Sequence, residues 1–134
     1  MKGRIEFEEG RVEMPIARHP HLRQKMTVSK EEDAKDAETH YRVLKRFRYH
    51  TLLQVKIITG RTHQIRVHMA HLGNPVEGDT LYGNIPSPKL EGATRQALHA
   101  AKIEFVHPKS GKIMQFESEI PDDMRLMIEN AEKK

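Results

Sequence analysis

Polar and hydrophobic positions alternate in two neighbouring stretches near the middle of the chain. In "TLLQVKIIT", residues 51–59, every second residue from Leu53 to Ile57 is apolar and the residues between are polar. The stretch before it, "THYRVLKRF" (39–47), alternates in the same way, and only "RYH" separates the two. Because successive side chains of a strand point to opposite faces, this pattern predicts an antiparallel pair of strands.

The period changes after the second strand. Ile65, Met69 and Leu72 are spaced i, i+4 and i+7, which predicts a short helix with a narrow apolar stripe. We expect Thr62 to cap the start of this helix with its hydroxyl and Gly73 to end it.

The remaining segments complete the outline of a single domain of 134 residues. In chain order they predict an N-terminal hairpin (3–16), a basic loop (17–26), a flexible exposed linker (28–38), a turn-rich loop (77–88), a second hairpin (97–108 with 111–120) and a C-terminal helix (121–134). The sequence therefore predicts an α+β fold with a few helices on a largely antiparallel sheet.

The distribution of charge changes this picture. Net charge is +4, and the stretch from Thr39 to Val76 contains seven Lys or Arg and five His but no Asp or Glu. Cysteine is absent, which excludes disulfides and thiolate chemistry. No apolar run approaches membrane-spanning length, so we expect a cytoplasmic protein without a membrane partner.

A second basic cluster, "ARHPHLRQK" (17–25), strengthens the case for an anionic partner. Surfaces of this kind bind phosphate backbones, although a solvated face balanced by distant acids remains the alternative. We expect RNA contacts from the basic cluster and from the start of the helix; the candidates are Arg18, His19, Arg23, Lys25, Arg61, His63 and Gln64.

Arg66 differs from the other cations because it lies beside the apolar stripe of the helix. There it would be half-buried, and it needs a carboxylate or a phosphate to offset its desolvation. His68 and His71 are three residues apart, but no acid or cysteine nearby completes a metal site, so we expect no metal. The serines lack the sequence context of a nucleophile.

Four stretches resemble the RluA-type pseudouridine synthases. They are "TGRTHQIRVHMAHLGNPVEGDTLYG" (59–83), "THYRVLKRF" (39–47), "RQALHAAKIEFVHPKSG" (95–111) and "IARHPHLRQKMTV" (16–28). The resemblance implies isomerisation of uridine to pseudouridine in RNA, most closely in large-subunit ribosomal RNA, without cofactor or metal. It also implies that the fold is part of the synthase catalytic fold.

The same resemblance implies roles for two residues. In this family an arginine pairs with a catalytic aspartate, and Arg66 in "HQIR" occupies the arginine position. Leu98 in "ALHA" matches an apolar residue that lines the uridine pocket. The resemblance implies that the target base leaves its stack to be reached.

One motif of the family is missing from these 134 residues. The catalytic aspartate belongs to an H-R-L-D-x-x-T-S-G motif, which the chain does not contain. We therefore expect a C-terminal portion of the catalytic domain, inactive alone, in which Arg66 lacks its aspartate. Asp79 in "EGDTLYG" is expected to bond nearby backbone in a turn. A non-catalytic RNA-binding module and a metal-dependent hydrolase are the alternatives.

Overall fold

The computed structural model describes residues 1–83, 85 and 90–134. Its elements are the strands β1 (Glu9–Glu13), β2 (Ile16–Arg18), β3 (Met26–Val28), β4 (Glu38–Arg46) and β5 (Thr51–Ile57), helix α1 (Gln64–His71), strands β6 (Lys102–Val106) and β7 (Ile113–Glu117), and helix α2 (Asp122–Glu132). Residues 84 and 86–88 of the predicted turn-rich loop lie outside the described residues. The α+β class predicted from the sequence is confirmed.

The central sheet has the strand order β1-β4-β5, with both neighbouring pairs antiparallel. The predicted pair of strands is therefore confirmed as β4 and β5, which meet in register from Thr39 opposite Ile57 to Arg46 opposite Thr51, with one bulge between Val43 and Lys45. The predicted C-terminal hairpin and helix are also confirmed, as β6–β7 and α2.

The predicted N-terminal hairpin is wrong. Strand β1 lies within the segment predicted as a hairpin, but it pairs with β4 and not with the residues before it. Gly10, which lies near the middle of the predicted hairpin, is part of strand β1 and packs against Tyr41. A Cβ added at this position would come within 2.3 Å of the tyrosine ring. The glycine thus allows close approach of β1 to the central strand.

The predicted basic loop is a hairpin with a basic tip. β2 and β3 pair antiparallel, Ile16 opposite Val28, and the residues 19–25 form the connection. The segment predicted as a flexible linker, 28–38, begins in β3 and ends in β4. Lys35 exchanges backbone hydrogen bonds with Ile16 at 2.9 Å, and Ala37 is buried, so the second half of this segment is docked on the domain.

Helix α1 is confirmed, but the details predicted for it are only partly right. Gly73 ends the helix in the left-handed region, with φ +88°. Thr62 does not cap it; His63 occupies that position, at φ +54°, and no side chain in the described part of the chain caps the helix. Its buried residues also differ from the predicted stripe, since Leu72 is exposed and the buried side chains are Gln64, Val67, His68 and Met69.

Helix α1 packs on the central sheet and joins two of the three apolar clusters formed by the described residues. Val67 packs with Ile16, Ala37 and Tyr82, whereas Met69 packs with Ile5 and Val43 of the sheet. The third cluster lies at α2 and contains Phe47, Leu90, Met127 and Ala131. The helix is thereby fixed between the β2–β3 hairpin on one side and the sheet on the other, and this position determines where Arg66 points.

Candidate active site and RNA-binding surface

Arg66 extends from the first turn of α1 and forms a bidentate ion pair with Asp79. Its Nε donates to Oδ2 at 2.7 Å and its Nη2 donates to Oδ1 at 2.9 Å. The Arg66 side chain is 16% exposed and the Asp79 side chain is fully buried. The expectation that no carboxylate within these residues pairs with Arg66 is therefore wrong. The partner carboxylate belongs to the loop after α1, thirteen residues further along the chain. Helix periodicity does not apply to a loop, so it could not predict this contact.

Asp79 also holds its own loop in shape. Its Oδ1 accepts hydrogen bonds from the backbone N–H groups of Leu81 and Tyr82 at 3.0 and 3.1 Å. Burial alone would raise the pKa of Asp79, but the hydrogen bonds from Arg66 and from these two N–H groups outweigh it and lower the pKa below 3.8. The prediction that Asp79 bonds nearby backbone in a turn is confirmed.

Tyr82 connects the ion pair to the basic hairpin. Its hydroxyl oxygen accepts from the backbone N–H of Met26 at 2.8 Å and lies 2.8 Å from Nδ1 of His63. The Arg66 guanidinium carbon lies 5.1 Å from the centre of the ring, and Nζ of Lys25 lies 5.4 Å from it. Burial raises the pKa of Tyr82 above its ordinary value, which favours the neutral phenol. Tyr82 is not among the site residues predicted from the sequence; its position three residues after Asp79 was the available signal.

His63 completes the contact with Tyr82. The tyrosine oxygen accepts from Met26 and its hydroxyl hydrogen can point at Nδ1 of His63, which accepts in the tautomer that carries its proton on Nε2. Burial and the neighbouring Arg66 lower the pKa of His63, consistent with a neutral ring. The His63 imidazole is therefore hydrogen-bonded to the protein through Nδ1.

The basic tip of the β2–β3 hairpin presents the first four RNA candidates. Arg18 and Arg23 are exposed and are joined by a hydrogen bond from Nη1 of Arg18 to the carbonyl of Arg23. His19 uses Nδ1 to accept from the backbone of His21 and Leu22, both at 3.1 Å, and so shapes the tip. Together with Lys25, whose Nζ lies 5.4 Å from the centre of the Tyr82 ring, these side chains make up the basic patch of the hairpin.

The candidates at the start of α1 behave differently from one another. Arg61 is exposed, with Nε donating to the carbonyl of Asp36 at 2.8 Å. Gln64 is only 3% exposed. Its amide accepts from Thr59 and from the backbone of Arg61 and donates to Glu38 and Thr39. All of its hydrogen-bonding capacity is used inside the fold, so this structure gives no support to the prediction that Gln64 contacts RNA.

Leu98 lies beside the loop that holds Asp79. Ala97 donates its backbone N–H to the carbonyl of Glu77 at 2.8 Å. Gly78 lies at φ +81° so close to the next chain segment that a Cβ would come within 1.9 Å of the Arg95 carbonyl oxygen. Leu98 is half-buried at the end of this contact. Its role in a uridine pocket remains a prediction.

The buried histidines serve the fold. His68 is fully buried, with Nε2 2.8 Å from the carbonyl of Met14 and Nδ1 2.8 Å from the hydroxyl of Thr39. His50 contacts Glu77 at 2.9 Å in the interior.

Among residues 1–83, 85 and 90–134, no group of three His, Cys, Asp or Glu side chains is placed to hold a metal ion. No helix in that part of the chain is long and apolar enough to cross a membrane.

The sequence pattern of the RNA pseudouridylate synthases matches residues 4–71, half of the chain, including β4, β5 and α1 with Arg66. The chain belongs to the RNA pseudouridylate synthase family. The match ends just before the loop of Asp79 and Tyr82.

Curated relatives extend the similarity to nearly all of the chain. A ribosomal large subunit pseudouridine synthase D of Xanthomonas campestris is 47% identical over 129 residues, which is 89% of this chain and 38% of the relative. The protein of the same name in Escherichia coli K12 is 46% identical over 130 residues, 90% of this chain and 39% of the relative. An uncharacterized RNA pseudouridine synthase of Bacillus subtilis is 44% identical over 131 residues, 98% of this chain and 42% of the relative. The chain thus spans about two fifths of the length of these relatives.

Solved structures agree with this family membership. The human RNA pseudouridylate synthase domain containing 1 protein superposes with a TM-score of 0.73 and 26% identity, covering 90% of this chain and 51% of the human chain. The domain containing 4 protein gives a TM-score of 0.65 at 21% identity, covering 92% of this chain and 56% of the human chain, and so shows the shared fold. The predicted membership of a pseudouridine synthase fold is confirmed.

Proposed function

We propose that these 134 residues form the RNA-binding and arginine-bearing part of a pseudouridine synthase that acts on large-subunit ribosomal RNA. The observation that carries the proposal is the position of Arg66. It lies in the region that matches the family, half-buried, and its neighbour Tyr82 also contacts Lys25 and Met26 of the basic hairpin. RNA bound at the hairpin would therefore lie next to the arginine.

The RNA substrate is supported by charge and by the relatives. The hairpin tip and Arg61 form an exposed cationic surface, which attracts phosphate and releases counterions when RNA binds. Two of the relatives described above carry names that specify the large ribosomal subunit.

The reaction is an isomerisation without net oxidation or hydrolysis. The N1–C1′ bond of uridine breaks, a C5–C1′ bond forms, C5 loses a proton and N1 gains one, so atoms and electrons balance within the nucleotide. A fixed guanidinium can hold a reacting carboxylate ionised and in place during these steps. No cofactor is part of the proposal.

We propose further that the 134-residue chain alone is inactive. The family's H-R-L-D-x-x-T-S-G motif is absent from this sequence. Asp79 is a poor substitute, because its side chain is fully buried and both carboxylate oxygens already accept hydrogen bonds.

A chimera tests this function. In it the 134 residues replace the matching 130 residues of the E. coli relative, so that the remaining part of the relative supplies the missing motif. Unmodified ribosomal RNA is incubated with the chimera or with the chain alone, and pseudouridine is read by carbodiimide treatment and primer extension. We expect product only from the chimera, and none from a chimera carrying Arg66→Met.

Two outcomes would contradict the proposal. A folded chimera that binds RNA without forming pseudouridine would favour a non-catalytic RNA-binding module. Product from the chain alone that disappears with Asp79→Asn would show that Asp79 is itself the reacting aspartate.

A further inference from the structure

Arg66 uses only one edge of its guanidinium group inside the protein. Nε and Nη2 form that edge and donate to Asp79. None of the residues that the structure describes accepts a hydrogen bond from Nη1. Among the described residues no side-chain nitrogen or oxygen is both buried and unbonded, so Nη1 belongs to the 16% of the Arg66 side chain that reaches the surface, where a bound group can meet it.

Arg95 provides an internal comparison. It forms the same kind of pair with Asp123, from Nε at 2.8 Å and Nη2 at 3.1 Å. Its Nη1, in contrast, donates to the backbone carbonyls of Gln96 and Leu98 at 2.9 and 3.1 Å. The Arg95 side chain is 37% exposed. The more exposed arginine is thus bonded on both edges, whereas the more buried Arg66 keeps one edge unused.

Asp79 is held too firmly to react. Oδ1 accepts from Arg66 and from the N–H groups of Leu81 and Tyr82, and Oδ2 accepts from Nε of Arg66. The loop that carries Asp79 is closely packed: a Cβ added at Gly78 would lie 1.9 Å from the carbonyl oxygen of Arg95. A carboxylate with these contacts is suited to fixing the direction of a neighbour, and the ring of Tyr82 restrains the same guanidinium from the side.

We propose that Asp79 is a positioning residue, which holds one edge of Arg66 so that Nη1 meets a second oxyanion brought to the site. This inference rests on the proposed function, for which it supplies the orientation of the arginine. The second oxyanion is either a reacting carboxylate from outside these residues or a phosphate of the RNA. Both accept hydrogen bonds from a guanidinium edge in the same geometry.

The first test uses the 134-residue chain and does not depend on activity. Arginine side-chain ¹⁵N spectra report whether the guanidinium group rotates freely. We expect separate, slowly rotating Nη signals for Arg66, which merge in Asp79→Asn. The matched control Asp123→Asn should affect Arg95 and leave Arg66 unchanged. Freely averaged Arg66 signals in the unsubstituted chain would overturn the inference.

The second test measures kcat and KM of the chimera described above, with the RNA concentration varied. Asp79→Asn retains an oxygen for Leu81 and Tyr82 but loses the charge and places an NH₂ group against the arginine. We expect a fall of about 100-fold in kcat with KM nearly unchanged if the second oxyanion is a reacting carboxylate. A rise in KM at constant kcat would instead identify an RNA phosphate.

The same test separates positioning from a merely structural role. Asp123→Asn should lower stability while leaving kcat and KM within about threefold of the unsubstituted values, since the carbonyls of Gln96 and Leu98 still hold Arg95. If Asp79→Asn also affects only stability, the positioning role is excluded. An inactive unsubstituted chimera would contradict the proposed function, and the ¹⁵N test would still decide the inference.

Discussion

The hydroxyl of Thr39 lies 2.8 Å from Nδ1 of His68, and both residues are fully buried between β4 and α1. Since Nε2 of the same ring faces the carbonyl of Met14, that nitrogen must carry the proton and Nδ1 must accept from Thr39. The hydroxyl oxygen in turn accepts from the amide of Gln64. A neutral histidine is thus the centre of a chain of hydrogen bonds that joins the helix to the sheet.

This arrangement predicts a loss of stability on mild acidification. Burial lowers the pKa of His68 below its ordinary value of 6.5, and the nearby His71 lowers it further. At His68 the unfolded chain then binds more protons than the folded chain, so the contribution of His68 to stability is complete above about pH 6.5 and falls as pH drops towards the folded pKa. Urea unfolding between pH 7.5 and 5.5 measures the slope.

A replacement of the histidine provides the control for this prediction. His68→Gln should be less stable at pH 7.5 but should show a shallower dependence on pH, with the remaining slope arising partly from His63, whose pKa is also lowered. Direct observation of a His68 imidazole that titrates above 6.5 in the folded chain would contradict the account.

Arg66→Met is expected to destabilise the 134-residue chain. The substitution leaves the fully buried carboxylate of Asp79 with two backbone N–H groups as its only donors among the described residues. Breaking a buried pair by removing one partner costs about 3 kcal/mol. Urea titrations of the wild type and the variant measure the difference.

The double variant Arg66→Met with Asp79→Asn tests the cause of that loss. Because it removes the uncompensated charge, it should recover part of the stability lost in the single variant. If Arg66→Met is as stable as the wild type, the ion pair contributes nothing to folding.

Gln64→Ala should also destabilise the chain, and should do so without a direct effect on RNA binding. The amide makes four hydrogen bonds to Thr59, Arg61, Glu38 and Thr39, and its removal leaves several of these groups unpaired in the interior. We expect a loss of about 3 kcal/mol in the free energy of unfolding. RNA affinity, measured below the unfolding temperature of the variant, should stay within about twofold of the wild-type value. A selective loss of RNA affinity at unchanged stability would restore Gln64 to the interface.

Strands β4 to β7, the two helices α1 and α2 and the position of Arg66 could be predicted because each depends on a local sequence pattern. β4, β5 and α1 follow from alternation and from helical spacing, and the desolvation of Arg66 follows from its place beside the apolar residues of α1. The charge pattern likewise indicated the exposed hairpin tip with Arg18 and Arg23.

The partners of these residues could not be predicted, because they depend on contacts between distant segments. Asp79 reaches Arg66 only after the loop behind α1 folds back, and β1 joins β4 instead of closing a hairpin on itself. A polar residue such as Gln64 is expected at the surface. In the structure its side-chain amide is buried because it forms hydrogen bonds with the backbone of Glu38 and Arg61. Tyr82 was missed for the same reason, since its contacts come from β3 and α1.

The last prediction concerns the basic hairpin as an RNA contact. Arg18 and Arg23 are exposed at its tip, within the patch that Lys25 extends to Tyr82. If both contact phosphates, the double variant Arg18→Gln with Arg23→Gln should weaken RNA binding and reduce the slope of log K against log salt by about 2. Fluorescence anisotropy with a structured ribosomal RNA fragment, at salt concentrations from low to physiological, measures both quantities.

A matched pair of lysines distinguishes a specific surface from net charge alone. Lys109 and Lys112 are also exposed but lie in the turn between β6 and β7. Their replacement by Gln changes the net charge by the same amount, so any purely long-range attraction should fall equally in the two double variants. We expect the hairpin variant to lose at least several-fold more affinity than the lysine variant, because only phosphates in direct contact release their counterions. Equal losses would show that the tip is a solvated face, and the RNA would then have to reach Arg66 from the side of Arg61.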